Sequence, residues 1–390
     1  MNDIEKNLIK LLRSTLDESY TANSEIPLSE MDEIINESIF QSVLTNISDI
    51  IPEIYQQKYS SKILNAYLNN VAVINHHFII GNLLEKNNIN YCVLKGFSSA
   101  MYYENPEKRM MGDIDILVNS DDVEKVDKLL IDDGYTKVVD ETEHDFHSGY
   151  IKNGMLVEIH HLISNIAEVE IDLYAMTSEI LNSCRFVQCE YGKIRIPNPF
   201  YHIVIMLFHL YRHFLSSGTG LRHIIDWAVF ISSEDFNKIQ SLFWEKCSQW
   251  KLLKFAKTLC QISVVYFGVS DKKEYGKTDN ELCNIIINEI LSKGNFGIKS
   301  DERFSGLFVE KRLDGNKSGL SNFYLILKNA VYKHYGQAKH NKIVFVYGMV
   351  FLPLRYLFRM IVGKRPKVNI FSLYKTSRNK KKKNRKLSDD

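Results

Sequence analysis

Apolar residues recur at three- and four-residue spacing near the N-terminus, in Ile4, Leu8, Leu11 and Leu12, and again in Val71, Val73, Ile74, Phe78, Leu83 and Leu84. That period places them on one helix face and predicts that residues 1–88 are helical, with breaks at Pro27 and Pro52. From Ile89 the pattern changes to short apolar runs of period two separated by helical stretches. Residues 91–94 read as a strand, and 98–103 as a short helix stopped by Asn105-Pro106. Residues 113–118 read as a second strand. Asp121-Asp122 caps a helix that runs to Asp133 and ends at Gly134. Residues 135–139, 146–151 and 156–162 follow as strands, with Lys152-Asn153-Gly154 as the hairpin turn between the last two. The pattern predicts an α+β fold, a small mixed sheet with helices on one side.

Pro197-Asn198-Pro199 marks a boundary. Beyond it, 200–215 is strongly helical. Residues 221–265 continue as helices, with Ile224, Ile225, Trp227, Ala228 and Phe230 dense enough for a packed bundle. Residues 268–320 are more polar and rich in glycine, which predicts long loops. The most hydrophobic stretch is 343–362, but Pro353, Arg355 and Arg359 interrupt it. A membrane span needs about 20 apolar residues, so this segment is expected to lie at an interface or dock on the core. The predicted organisation is an N-terminal helical region (1–88), a mixed-sheet core (89–196), a C-terminal helical domain (197–340), and an apolar helix with a basic, disordered tail (341–390).

Composition changes this picture in two places. With 45% hydrophobic and 25% charged residues the chain reads as an ordinary globular protein. From Lys375 onward eight basic side chains face two carboxylates, a net +6, which leaves about −4 for the rest of a chain whose total is +2. A mildly acidic body argues against a surface built for nucleic acid. The lysine run is either a solvated end or, behind the apolar stretch, part of a contact with anionic lipid through residues 343–386. The six cysteines form no CxxC pair, which argues against structural zinc and for free thiols in a reducing compartment. The first residues lack a basic-then-apolar signal. The expected location is cytoplasmic, peripheral to the inner membrane face if the basic end engages lipid.

The densest chemistry lies in Leu94-Lys95-Gly96-Phe97-Ser98 and in Arg109-Met110-Met111-Gly112-Asp113-Ile114-Asp115. Strand side chains alternate, so Asp113 and Asp115 share one face and Ile114 and Ile116 the other. Two adjacent carboxylates repel and lose solvation near a core. A cation between them removes that cost, and magnesium suits hard oxygen ligands.

This arrangement resembles the nucleotidyltransferase superfamily, in which a glycine turn precedes a strand bearing Asp-x-Asp/Glu. More narrowly, Leu94-Lys95-Gly96, Arg109 and Gly112-Asp113-Ile114-Asp115 look like the bacterial family labelled uncharacterised nucleotidyltransferase, over about residues 40–260. The sequence departs in having Phe97 directly after the glycine, with the serine one place later at Ser98, and in a long spacing from Gly96 to Asp113. The resemblance implies a polymerase-β-like sheet between helical regions, and two magnesium ions held by Asp113, Asp115 and a third acid. Glu158, in Val157-Glu158-Ile159-His160-His161, is the expected third acid and general base, with His160 on its face as a supporting partner. Gly96 lets phosphate approach the backbone, and the helix starting near Ser98 offers free N–H groups. Lys95 and Arg109 are expected to neutralise a triphosphate, although Lys95 could equally face solvent.

The family usually carries a helix with His followed by Arg-x-x-x-Asp, matched here by His209 or His213 and then Arg222 and Asp226. Arg222 either closes over the nucleotide or pairs with Asp226 at i,i+4. His202, His209 and His213 share one helix face, read as the cleft side of a bundle rather than as a zinc site. The implied activity is transfer of a nucleoside monophosphate from an NTP to an acceptor, such as a small molecule, a sugar or a protein side chain, with release of pyrophosphate. The alternatives are a toxin-type enzyme modifying RNA or protein, and a catalytically silent, membrane-peripheral binding protein of the same fold.

Overall fold

The computed structural model describes residues 1–22, 26–138, 147–163, 171–215, 218–295, 298–299 and 341–361, together with Lys328, Val331 and Tyr335. Five helices come first: α1 (Asp3–Ser14), α2 (Met31–Phe40), α3 (Leu44–Ile47), α4 (Glu53–Lys58) and α5 (Ser60–Lys86). A capping box starts α1: the Asn2 side chain accepts from the Glu5 N–H, and the Glu5 carboxylate accepts from the Asn2 N–H. Pro27 and Pro52 each stand directly before a helical turn, where a missing N–H costs nothing.

β1 (Tyr91–Leu94), α6 (Gly96–Ala100), β2 (Ile114–Val118), α7 (Val123–Asp132), β3 (Thr136–Val138), β4 (His147–Lys152) and β5 (Met155–His160) follow. Their strands form one sheet in the order β1-β2-β5-β4-β3. β2 and β5 run parallel and the other neighbours antiparallel, so the sheet is mixed as the pattern predicts. The β4–β5 hairpin turns on Asn153 (φ 52°) and Gly154 (φ 78°), a left-handed pair that suits these two residue types. Ile114, Ile116 and Val118 join Tyr91, Val93, Val157 and Ile159 in a core closed by α5 and α7. The alternate positions Cys92, Leu94 and Leu117 face a second core on the other side. Helices therefore cover both faces rather than one, and the second layer comes from distant parts of the chain.

α8 (Leu173–Ser183) and a separate hairpin of β6 (Arg185–Cys189) and β7 (Gly192–Ile196) lead to the helical half. That half contains α9 (Pro199–Leu215), α10 (Leu221–Ile231), α11 (Glu234–Gln249), α12 (Leu253–Phe267) and α13 (Asn280–Lys293). α13 corrects the expectation of loop over 268–320: Leu282, Cys283, Ile286, Ile287, Ile290 and Leu291 are buried along it. The bundle core also takes Leu8, Leu11 and Leu12 of α1 and Ile34 and Ile35 of α2. The first fifty residues thus fold back on the C-terminal helices, while α5 serves the sheet. Gln41 is one tie between the two ends of the chain. Buried, it donates to the Leu291 carbonyl at 3.1 Å and accepts from the Leu221 N–H at 3.1 Å.

The last described helix is α14 (Lys342–Ile361). Leu352 packs with Val331 on one side. Ile343, Val346, Tyr347, Val350 and Phe351 are exposed on the other. None of the described helices is long and apolar enough to cross a membrane. The basic tail, residues 375–390, lies outside the described residues.

Candidate active site

β1 passes into α6 through Lys95, whose φ of 49° and ψ of −123° lie where residues other than glycine rarely sit. Leu94 is in register with Asp115 across the β1–β2 pair, so the turn delivers Lys95 to that aspartate. Its Nζ donates to Asp115 Oδ1 at 2.8 Å. The long connection from Gly96 to Asp113 is clamped by α5. Asn70 donates to the Glu107 carbonyl (2.6 Å) and accepts from the Met111 N–H (2.9 Å), and Asn69 donates to the Met111 carbonyl (3.1 Å).

Asp115 is also in register with Glu158 across the parallel β2–β5 pair. Residues directly across a ladder share a face, and the carboxylates of Asp113, Asp115 and Glu158 come within 4.8 Å of one another. His160, two residues past Glu158, lies between two of them. Its Nε2 is 2.8 Å from Asp115 Oδ1 and 3.4 Å from Glu158 Oε2.

Electrostatics divides the three acids. Burial alone would raise the Asp115 carboxyl, but the Lys95 ammonium and the His160 hydrogen bond hold it well below the usual carboxylate range. Burial likewise opposes ionisation of Glu158, and the His160 hydrogen bond wins, keeping it lowered. The charge on Asp115, then burial, pushes Asp113 up. A carboxyl raised by its ionised neighbour marks a site with surplus negative charge. Three oxygen donors converging on one space, with that surplus, fit a hard divalent cation.

Asp113 and Asp115 open into a cleft whose walls include Lys95, Gly96, Ser99, Arg109, His209 and Arg222. Gly96 is not demanded by packing: a Cβ there would meet only ordinary contacts, Asp113 O at 3.8 Å and Arg109 Nη1 at 4.0 Å. Its bare backbone faces the cleft instead. Ser98 is turned away. It is fully buried, and its hydroxyl donates to the Val93 carbonyl. The serine on the cleft wall is Ser99.

Arg109 is buried and grips Asp226 with two hydrogen bonds, Nε to Oδ1 at 2.8 Å and Nη2 to Oδ2 at 2.7 Å. Tyr103 adds its hydroxyl to Asp226 Oδ1 at 2.8 Å. Asp226 is therefore engaged by Arg109, across the cleft floor, rather than by Arg222. Arg222 donates Nη1 to the Met110 carbonyl at 3.0 Å, and its buried Nε meets no acceptor among the described residues. Burial, then the charge of Arg109, brings Arg222 down to about 10, so it stays cationic at neutral pH.

Of the three helix-face histidines, His202 packs between Tyr102 and Phe230. His209 and His213 form a ring cluster with His223, with centroids 4.2 Å, 5.2 Å and 6.4 Å apart. Among the described residues, two groups bring three ligand atoms together, Asp113–Asp115–Glu158 and His147–Glu158–His160. The α9 histidines belong to neither. Sequence reasoning passed over His147, Asn70 and Tyr103, which carry no local motif and matter through contacts at long range.

Residues 37–268, more than half of the chain, match the family described as uncharacterised nucleotidyltransferase. No curated protein matches the chain. Among solved structures, the solution structure of the antibiotic-resistance factor ANT(2″)-Ia is similar over 48% of this chain and 97% of its own, at 14% identity and a TM-score of 0.35. The crystal structure of ANT(2″)-Ia with adenylyl-2″-tobramycin is similar over 46% and 99%, at 14% identity and 0.34. An antigenic nucleotidyltransferase-like protein from Paracoccidioides brasiliensis is similar over 46% and 92%, at 14% identity and 0.29.

Proposed function

Since this chain belongs to the nucleotidyltransferase family described as uncharacterised, we propose that it transfers a nucleoside monophosphate from an NTP to an acceptor and releases pyrophosphate. The observation that carries the reading is the meeting of Asp113, Asp115 and Glu158, with the two aspartates lining a cleft walled by Lys95, Arg109 and Arg222. The acceptor is a small molecule, a sugar or a protein side chain.

Asp113, Asp115 and Glu158 would hold magnesium, two ions in this reading. The metal, when bound, supplies charge neutralisation and alignment for transfer at the α-phosphate. Lys95 and Arg222 are the cations for the triphosphate. Lys95 neutralises Asp115 in the structure and would turn to the triphosphate when nucleotide binds. Arg222 brings a buried guanidinium with a donor to spare. Arg109 contributes mainly by fixing the wall through Asp226, with Nη1 turned toward Gly96. Gly96 lets phosphate close on the backbone, and Ser99 takes the place first expected of Ser98 at the mouth of α6. Glu158, held ionised by His160, receives the acceptor's proton.

The test is calorimetric titration with each NTP plus magnesium, followed by assay of pyrophosphate release. Asp113→Asn and Asp115→Asn should each abolish magnesium-dependent binding or turnover; the first should keep the parent's melting temperature within a few degrees, and the second should lower it because Lys95 loses its buried partner. Unchanged binding and turnover in both variants would refute the assignment.

A second reading concerns α14. The exposed residues Ile343, Val346, Tyr347, Val350 and Phe351 repeat at three- and four-residue spacing, which favours a peripheral contact with an anionic membrane surface. Truncation before residue 342 should release the protein from phosphatidylserine vesicles at low salt without loss of NTP binding. Full-length protein that never sediments with those vesicles would end this reading.

A further inference from the structure

The sheet face that carries the three acids continues past them. His147 on β4 stands directly opposite His160 on β5, and cross-strand partners share a face. Both imidazoles reach for one carboxylate. His147 Nε2 lies 3.7 Å from Glu158 Oε1, and His160 Nε2 lies 3.4 Å from Glu158 Oε2. The rings are 4.9 Å apart, centroid to centroid. All three ligand atoms lie within 4.8 Å of one another.

These separations distinguish two kinds of contact. A charge-assisted hydrogen bond is shorter, about 2.7–2.9 Å, as in the 2.8 Å contact of His160 with Asp115. Two ligands of one tetrahedral ion with bonds of about 2.1 Å lie roughly 3.4 Å apart along an edge. His160 Nε2 and Glu158 Oε2, 3.4 Å apart, match that edge, while His147 Nε2 stands 3.7 Å from the other oxygen of the same carboxylate. The donor set differs as well. Asp113, Asp115 and Glu158 offer oxygen alone, which suits magnesium. His147, Glu158 and His160 offer two imidazole nitrogens and one oxygen, a set that magnesium serves poorly and that zinc, cobalt and manganese accept. With three protein ligands, one position stays open to water.

We propose that His147, Glu158 and His160 form a second cation site, selective for a transition metal over magnesium, that shares Glu158 with the three-carboxylate site; on binding, His160 Nε2 exchanges its hydrogen bond to Asp115 for the ion and releases its proton to solvent. An ion held there takes Glu158 away from the three-carboxylate group, so occupation of this site competes with the metal of the transferase. This consequence rests on the function proposed above. The site itself does not.

The experiment is a cobalt titration of the full-length, metal-free protein without nucleotide, read by visible absorption. One equivalent should produce the intense bands of a four-coordinate ion with nitrogen ligands, and a large excess of magnesium should not remove them. Asp113→Asn should keep those bands. His147→Ala should lose them and raise the cobalt dissociation constant at least tenfold. Because His147→Ala could perturb β4, His147→Gln is compared in parallel. Its melting temperature without metal should match the parent, and zinc should raise the parent's melting temperature but not the variant's. Bands that persist in both His147 variants, or a parent spectrum of the weak, six-coordinate oxygen type, would overturn the site. Cobalt bands in a protein that binds no NTP would leave this site standing and remove the transferase reading instead.

Discussion

Ser98 and Ser99 are neighbours in the chain with opposite duties. α6 is only five residues long, and successive residues on it point about 100° apart. Ser98 therefore looks back to the Val93 carbonyl while Ser99 looks into the cleft. Ser98→Ala should lower stability by about 1 kcal/mol, the net worth of one hydrogen bond, and leave NTP affinity unchanged. Ser99→Ala should do the reverse, weakening NTP several-fold with the melting temperature constant. Equal affinity losses in both variants would contradict the placement. At this scale the sequence was informative about Asp113, Asp115 and Glu158, because residues on one strand or in one short motif obey period two. It was not informative about which serine faces the cleft. That depends on where α6 begins, and helix boundaries shift by a residue without changing the pattern. Nor did any local signal show that Lys95 turns inward, since its strained backbone is visible only in three dimensions.

Among elements, the parts that pack on their nearest neighbours were the legible ones. β1 falls where its period predicts, and β2, β5 and the Asn153-Gly154 turn lie within a residue or two of expectation. α13 was legible in principle, since Leu282, Ile286 and Ile290 keep a four-residue period, but the polar, glycine-rich stretch after it diluted the signal. The β6–β7 hairpin turns at Glu190-Tyr191 without a strong turn pair, so alternation was the sole cue. The joint between loop 101–113 and α10 could not be read at all, because Arg109 and Asp226 are 117 residues apart. That joint has an energetic signature. Both partners are buried, the pair is bidentate, and removing one side strands a charge in the interior. Arg109→Met and Asp226→Asn should each cost about 3–5 kcal/mol. The double variant should cost clearly less than the sum, because neither charge is then left alone. Chemical denaturation of the four proteins measures the coupling. Additive losses would mean that the pair is solvated and does not hold the cleft wall.

For the whole molecule, the fold stores several histidines in places that tolerate only the neutral ring. His77 is fully buried, hydrogen-bonded to the Val73 carbonyl at 2.8 Å, and burial brings it down to about 4. His202 lies between Tyr102 and Phe230, and burial brings it down to about 3. Burial lowers His209 and His223 well below the ordinary value too. A group depressed in the folded state supports the fold fully above its unfolded value, near 6.5, and loses that support as pH falls toward the folded value. For His77 the loss is about 3 kcal/mol and for His202 about 5 kcal/mol once pH reaches 3 to 4. His160 works in the opposite direction: burial opposes its charge, but Asp115 and Glu158 raise it, so it favours the fold on acidification. One raised imidazole does not offset four depressed ones. The carboxylates Asp115 and Glu158 are depressed as well, but their loss begins only below about pH 4. Acid instability should therefore set in between pH 6.5 and 4.5, ahead of the loss from Asp115 and Glu158 and opposed by His160 and by the raised Asp113, with a fall in melting temperature of about 10 °C. His202→Phe keeps the ring packing and removes one titrating group, so it should shift the falling limb to lower pH and leave the plateau near pH 7.5 unchanged or raised. A melting temperature that holds steady down to pH 4.5 would show that water reaches these rings and that the helical half is looser than its burial implies.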